Sequence, residues 1–559
     1  MGKTSIARIA VTAGLSLAAM TSMMPVVPAM AAVSYGTGSI VIKKVDGNGA
    51  VTYDGYQIFK ANVADDATST NTTGKTETNV AWANDNVKTA VENFIKSKDA
   101  NYAGKTAEDA ATYISGKITK TDNKTRVDAA SFANELAKAV EGKTSTKSVT
   151  PGTAATLDEG YWLFVTNTAT TNGKSGTAGT APIFAVVGGA TQVTVEEKTT
   201  VPTVSKQVKN DATGANFTSV ADAEAGQSVT YELTGTVADN VATYDTYKYA
   251  FSDVLSTGLV ANEDSVKVSI DDKEIAADSY TKHYDTGTNT LSVSFADLKA
   301  AKGTDGSTVT LTDSSKVVVD YTASLDPSKA IVLGGEGNAN TVTLTYSNNP
   351  HSDGTGTTTP KTAKLFAYKL QLHKIDRTTE TNLQGAKFTI QATGDDDGSS
   401  TKYVQSDGTL GDTAYEFETD KDGNINVTGL DAGTYTVTET VAPAGYDKVD
   451  SFTFQIKPTY DDNAQTLTKL ENVLTATDSV IAGDTDGVTT DNVLTASGKN
   501  AADTATGTVK ITVGDVKRVT MPLTGMDGVT FTWIAGGTVL AIGLANIIRT
   551  KRHADGSAE

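Results

Sequence analysis

Lys369-Leu-Gln-Leu-His-Lys374 alternates apolar and polar side chains, so Leu370, Leu372 and Lys374 share one face of an extended strand. The leucines mark that face as the core side, which sends a lysine inward. Near the C-terminal end of the same stretch, Val509-Lys-Ile-Thr-Val513 runs on to Asp515, with Ile511, Val513 and Asp515 on one face. Lys387-Phe-Thr-Ile-Gln391, Thr434-Tyr-Thr-Val-Thr438 and Ser451-Phe-Thr-Phe-Gln-Ile456 lie between them. Short alternating runs separated by turn residues predict a sandwich of strands over residues 361–519. Asp420-Lys-Asp-Gly423 does not complete a calcium loop and reads as a hairpin turn.

An inward lysine and an inward carboxylate are costly in a core unless they are paired or chemically converted. Glu439, at the end of the Thr434 run, adds a third ionisable group. Burial favours the neutral amine and the protonated acid. Lys374 is then able to attack the side-chain carbonyl of Asp515, with Glu439 moving protons and polarising it, to leave an isopeptide bond. A buried ion cluster is the alternative. His373-Lys-Ile-Asp376, Leu383-Gln-Gly-Ala-Lys-Phe388, Gly429-Leu-Asp-Ala-Gly433 and the segment from Tyr435 to Tyr446 resemble the collagen-binding-protein B-type domain of Gram-positive pilins. That resemblance implies the lysine, glutamate and acceptor roles given above, with Asp515 standing where the family more often has Asn.

The preceding stretch, 198–360, repeats the pattern. Ser228-Val-Thr-Tyr-Glu-Leu233, Ser265-Val-Lys-Val-Ser-Ile270, Leu291-Ser-Val-Ser-Phe295, Lys316-Val-Val-Val-Asp-Tyr321 and Thr341-Val-Thr-Leu-Thr-Tyr346 predict an immunoglobulin-like β-sandwich. Val204, Lys206 and Val208 share a face, as do Val342, Leu344, Tyr346 and Asn348. Lys206 and Asn348 are therefore the expected bonding pair, while alternation turns Lys209 and Asn349 outward. Phe251-Ser-Asp-Val-Leu255 resembles the segment that carries the catalytic Asp of the related A-type pilin domain, which makes Asp253 the implied proton shuttle. Asp353-Gly-Thr-Gly-Thr-Thr-Thr-Pro360 reads as a linker.

Residues 32–197 open with Gly38-Ser-Ile-Val-Ile-Lys-Lys44 and close with Gly160-Tyr-Trp-Leu-Phe-Val165, Ala181-Pro-Ile-Phe-Ala-Val-Val187 and Thr191-Gln-Val-Thr-Val195. A helical insertion lies between. Val87, Val91, Phe94 and Ile95 fall on one helical face, and Ala129, Phe132, Ala133, Leu136 and Val140 on another. Thr166 stands where Glu439 stands in the last unit, so no cross-link is expected here, and Lys43 and Lys44 read as a strand-edge pair. Val193-Thr-Val-Glu-Glu-Lys198 resembles the pilin segment whose lysine accepts the next subunit. It keeps both valines and the lysine and replaces Tyr-Pro with Glu196-Glu197, so Lys198 is the candidate intermolecular acceptor, against a solvated linker lysine.

The ends frame this reading. Lys3 and Arg8 precede an apolar stretch from Ile9 to Met20 and Ala29-Met30-Ala31, a secretory signal over residues 1–31. Residues 521–559 hold Met521-Pro-Leu-Thr-Gly525, an apolar run from Val529 to Ile548 long enough to cross a bilayer, and Arg549, Lys551 and Arg552. This order resembles the Leu-Pro-x-Thr-Gly sorting signal of surface proteins, cut by sortase between Thr524 and Gly525, with Thr524 passed to an amine.

A net charge of -19, from 47 basic and 66 acidic residues, argues against a nucleic-acid partner. An exported chain without cysteine needs staples other than disulfides. His283, His351, His373 and His553 have no metal or triad spacing, so neither a metal, nor a cofactor, nor a turnover enzyme is expected. The resemblances imply a mainly β chain of tandem sandwiches, the shaft subunit of a covalently polymerised surface pilus that supports adhesion. Its expected partners are sortase, other copies of itself, other pilin subunits and peptidoglycan. A monomeric wall-anchored adhesin or basal pilin binding host glycan or matrix is the alternative.

Overall fold

The computed structural model describes residues 33–65, 74–118, 123–209, 216–393, 402–475 and 502–518. They form three successive sheet-based units. In the first, the strand Thr37–Lys43 lies between Ala155–Asp158 and, in parallel, Val193–Glu196. A second sheet orders Lys75–Trp82, Tyr53–Asp65, Gly160–Thr166 and Ile183–Val187, with Lys147–Val149 also on Tyr53–Asp65. The helices Asp85–Lys98, Ala107–Ile118 and Asn123–Val140 share one core with that sheet. Asn84 caps the first helix, its side chain accepting the Val87 N–H at 2.9 Å. Both expected helical faces are buried. The middle helix was missed because its buried face is mostly small, at Ala107, Ala110 and Ala111, and gives a weak apolar stripe.

The second unit is a sandwich with one core. One sheet orders Phe217–Thr218, Val204–Lys209, Ser228–Thr236, Lys316–Leu325, Leu259–Ile270 and Lys273–Glu274. The facing sheet orders Val220–Asp222, Lys361–Phe366, Asn338–Ser347, Tyr249–Leu255, Thr290–Phe295 and Thr281–Asp285. Residues 361–366 belong to the second unit, paired antiparallel with Asn338–Val342, so the boundary falls near Ala367 and not at 360. The Gly/Thr-rich stretch is not a linker, because Thr355–Thr357 pairs with Asn338–Ser347. Alternating Gly and Thr can extend as readily as they can turn, and here small side chains allow close approach to the first unit. Gly173 and Gly176 donate N–H groups to Thr355 O at 2.7 Å and Thr357 O at 2.8 Å.

The third unit faces a sheet of Asn424–Leu430, Tyr368–Asp376, Thr508–Asp515 and Ala502–Asp503 against one built around Lys387–Ala392, Gly433–Val441, Phe452–Asp461 and Thr466–Thr475. Its first and last strands, Tyr368–Asp376 and Thr508–Asp515, are parallel neighbours. Asp420 closes the expected turn, its side chain accepting the N–H groups of Asp422 and Asn424. Against the second unit, the Ala225 N–H donates to Gly429 O at 2.8 Å and the Gly335 N–H to Thr504 O at 2.7 Å. No helix among the described residues is long and apolar enough to cross a membrane. The apolar run from Val529 to Ile548 lies outside them.

Candidate functional site

Two lysines lie at the centres of two successive sandwiches. Lys374, on the first strand of the third unit, is completely buried. Its Nζ donates to Asp515 Oδ1, stands 3.0 Å from Glu439 Oε1, and lies 5.1 Å from the centre of the Phe388 ring. Lysine and aspartate come from neighbouring parallel strands, with Lys374 level with Val513 and Asp515 level with Asp376. Glu439 comes from the opposite sheet and is fixed by the Val449 N–H, donated to Oε2 at 2.7 Å. Burial pushes the Asp515 carboxyl up to about 7, against the opposing pull of Lys374. The three groups named from the sequence are brought together.

The second centre is built differently. Lys206 sits in one sheet, and its Nζ donates to Asp253 Oδ1 at 2.8 Å and Oδ2 at 2.6 Å on the opposite sheet. The aromatic rings of Tyr231 and Tyr321 flank the ammonium, at 4.8 and 5.5 Å from their centres. Burial pulls the amine down to about 8 even though Asp253 holds it up.

The expected acceptor, Asn348, is not at this centre. It lies at the far end of the strand, about 26 Å from Asn340 at the usual rise per residue. There its Nδ2 donates to Thr171 O at 2.7 Å and Thr177 Oγ1 at 3.0 Å, both of the first unit. The side chain beside the lysine is Asn340. Its Nδ2 donates to the Tyr321 hydroxyl at 2.6 Å, that hydroxyl donates to Asp253 Oδ2 at 2.5 Å, and Lys206 Nζ reaches the same hydroxyl at 3.2 Å. Asn340 is completely buried and its Oδ1 has no hydrogen-bond partner. Alternation gave Asn340 the same parity as Asn348, but the strand was read from Thr341 onward, whereas it begins at Asn338. Asn349, expected outward, is also buried, because its Nδ2 donates to Thr166 O of the first unit at 3.2 Å. Interface burial overrides the two-residue period there. Lys209 is exposed as expected.

The first unit holds a buried lysine of another kind. Lys75 Nζ is surrounded by Asp65 Oδ1 at 2.5 Å, Gly188 O at 2.8 Å, and Thr191 O and Oγ1 at 2.8 and 2.9 Å. The hydrogen bond from Lys75, with those from Thr191, holds the Asp65 carboxyl down at about 2. Thr166, where the third unit has Glu439, is buried with its hydroxyl donating to Thr180 O at 3.2 Å. Lys43 pairs with Glu196 at 3.1 Å on the surface, and Lys198 is half-buried at the junction of the first two units. Thr524 and Gly525 lie outside the described residues. Among the described residues no cluster of His, Cys, Asp and Glu has the makings of a metal site.

Residues 368–472 match the family model of the SpaA prealbumin-like fold domain. No curated protein matches the chain. The T6 backbone pilin of serotype M6 Streptococcus pyogenes, a modular three-domain structure, is similar over 87% of this chain and 99% of its own, at 17% identity and TM-score 0.50. Full-length major pilin SpaD from Corynebacterium diphtheriae covers 87% of this chain and 98% of its own, at 17% identity and TM-score 0.44. At such identity the likeness to the T6 pilin is one of fold.

Proposed function

We propose that the chain is the shaft subunit of a covalently polymerised surface pilus, cross-linked once inside its second unit and once inside its third. The observation that carries this reading is the recurrence, in two consecutive sandwiches, of a buried lysine with a carboxylate and an amide or acid acceptor within one hydrogen-bonded cluster. In the second unit Lys206 attacks Asn340 and ammonia leaves. In the third Lys374 attacks Asp515 and water leaves, Asp253 and Glu439 carrying the protons. Each bond forms once, so no turnover is involved.

Polymer growth uses the two features at the edges of these units. Sortase cleaves after Thr524, and the Lys198 amine of another copy takes the acyl group. The last copy passes to peptidoglycan through the same threonine. In the native host, the parent gives a detergent-resistant ladder of polymers. Lys198→Arg leaves only wall-attached monomer. A parent without a ladder identifies a monomeric adhesin, and a ladder that survives Lys198→Arg places the acceptor at another lysine.

A further inference from the structure

The residue before the junction lysine is a buried carboxylate with three donors. Glu197 is 5% exposed. Its Oε2 accepts the Val45 N–H at 2.8 Å and Asn48 Nδ2 at 3.5 Å, and its Oε1 accepts the Tyr53 hydroxyl at 3.0 Å. On the other side of Lys198, Thr199 is buried with its hydroxyl 3.3 Å from Asn240 Oδ1, and the Lys198 carbonyl accepts Thr180 Oγ1 at 3.4 Å. The clamp extends into the second unit. Asn48 exchanges hydrogen bonds with both backbone groups of Ala178, the Gly179 carbonyl accepts Asn240 Nδ2 at 3.0 Å, and the Gly179 N–H donates to Asn348 O at 2.6 Å.

A buried carboxylate is costly to desolvate, and the three donors offset that cost. What it adds is direction. Hooking residue 197 inward through three donors turns residue 198 to the opposite side of an extended chain. We propose that Glu197 is the positioning residue of the acceptor amine, holding Lys198 where an acyl-enzyme can be reached. This rests on the reading of Lys198 as the polymerising lysine. In the step it serves, the neutral Lys198 amine attacks the Thr524 carbonyl held as an acyl-enzyme. A C–N bond forms, the acyl–enzyme bond breaks, and the enzyme nucleophile leaves with a proton from the amine.

The test is acyl transfer from a Met-Pro-Leu-Thr-Gly peptide onto the purified ectodomain by the host's polymerising sortase, with parent, Lys198→Arg, Glu197→Gln and Tyr53→Phe chains as acceptors. Lys198→Arg abolishes transfer. Glu197→Gln raises the acceptor KM about tenfold, the scale of a misplaced reacting group, while its pH profile, its Tm and transfer of the same peptide to a small free amine stay at parent values. Tyr53→Phe, which leaves the other two donors, shows the same split at a smaller size and carries the test if Glu197→Gln melts early. A parent-like KM in a folded Glu197→Gln chain, or in Tyr53→Phe where that chain melts, overturns the positioning role alone. Undiminished transfer to Lys198→Arg removes the acceptor reading, and the role of Glu197 with it.

Discussion

Lys206 and Asn340 stand on opposite sheets of the second unit, yet both donate to one hydroxyl, that of Tyr321, at 3.2 and 2.6 Å. The same hydroxyl donates to Asp253. A bond between them would cross the sandwich, whereas the proposed Lys374–Asp515 bond would link two neighbouring strands of one sheet. The two units thus bring a lysine, a carboxylate and an amide or acid side chain together by different geometries.

Because Asn340 and not Asn348 shares that hydroxyl, Asn340→Ala and Asp253→Ala are each expected to retain the Lys206 amine. Asn348→Ala is expected to form the bond normally. It instead loses hydrogen bonds to Thr171 and Thr177, which destabilises the docking of the first two units by about 1–3 kcal/mol. Differential scanning calorimetry and intact-mass measurement of Asn348→Ala check this, with a lowered first transition and the parent's full loss of one ammonia and one water relative to the variant's own sequence mass as the expected pair.

Without its bond, the second unit should gain stability in alkali. The Lys206 amine falls from its ordinary 10.5 to about 8 in the folded state. Below pH 8 it is protonated in both states and the cost of burying the charge is fully present. Between about 8 and 10.5 the unfolded chain holds more protons, so stability rises with pH, by on the order of 3 kcal/mol in all. Denaturant titrations of Asn340→Ala at pH 7 and pH 10, each compared with Lys206→Met/Asn340→Ala, read the effect as a difference. Parallel pH dependence in the two chains contradicts it.

Under tension from Lys198 to Thr524, the two proposed bonds would shunt residues 207–339 and 375–514 out of the load path. The stretch from 341 to 373 stays in line, and its contour is about 110 Å at ~3.3 Å per residue. Single-molecule pulling is expected to release no more than that between the two bonds in the parent, and the whole second unit in Asn340→Ala. Each proposed bond would also close a loop of about 140 residues, a contribution on the order of 4–5 kcal/mol by the chain-entropy account.

Much of this was legible in the sequence, because a two-residue period reports which side chains point inward. It placed Lys374, Asp515 and Lys206 in the core, as the structure has them. Resemblance to known segments added Glu439 and Asp253. The period says nothing of where along a strand a residue meets its partner, and so it could not separate Asn340 from Asn348. Nor does it register burial between units, which hid Asn349. Lys75 carried no signal, since besides Asp65 its partners Gly188 and Thr191 lie more than a hundred positions away and two of their acceptors are backbone carbonyls.

Peptide-resolved mass measurement of the purified ectodomain is the decisive test of the two cross-links and their partners. The parent is expected to be lighter than its sequence by one ammonia and one water, with a branched peptide joining Lys206 to Asn340 and another joining Lys374 to Asp515. Asn340→Ala is expected to remove only the ammonia loss and Glu439→Gln only the water loss. An unmodified parent mass, or a branched peptide joining Lys206 to Asn348, would contradict this assignment.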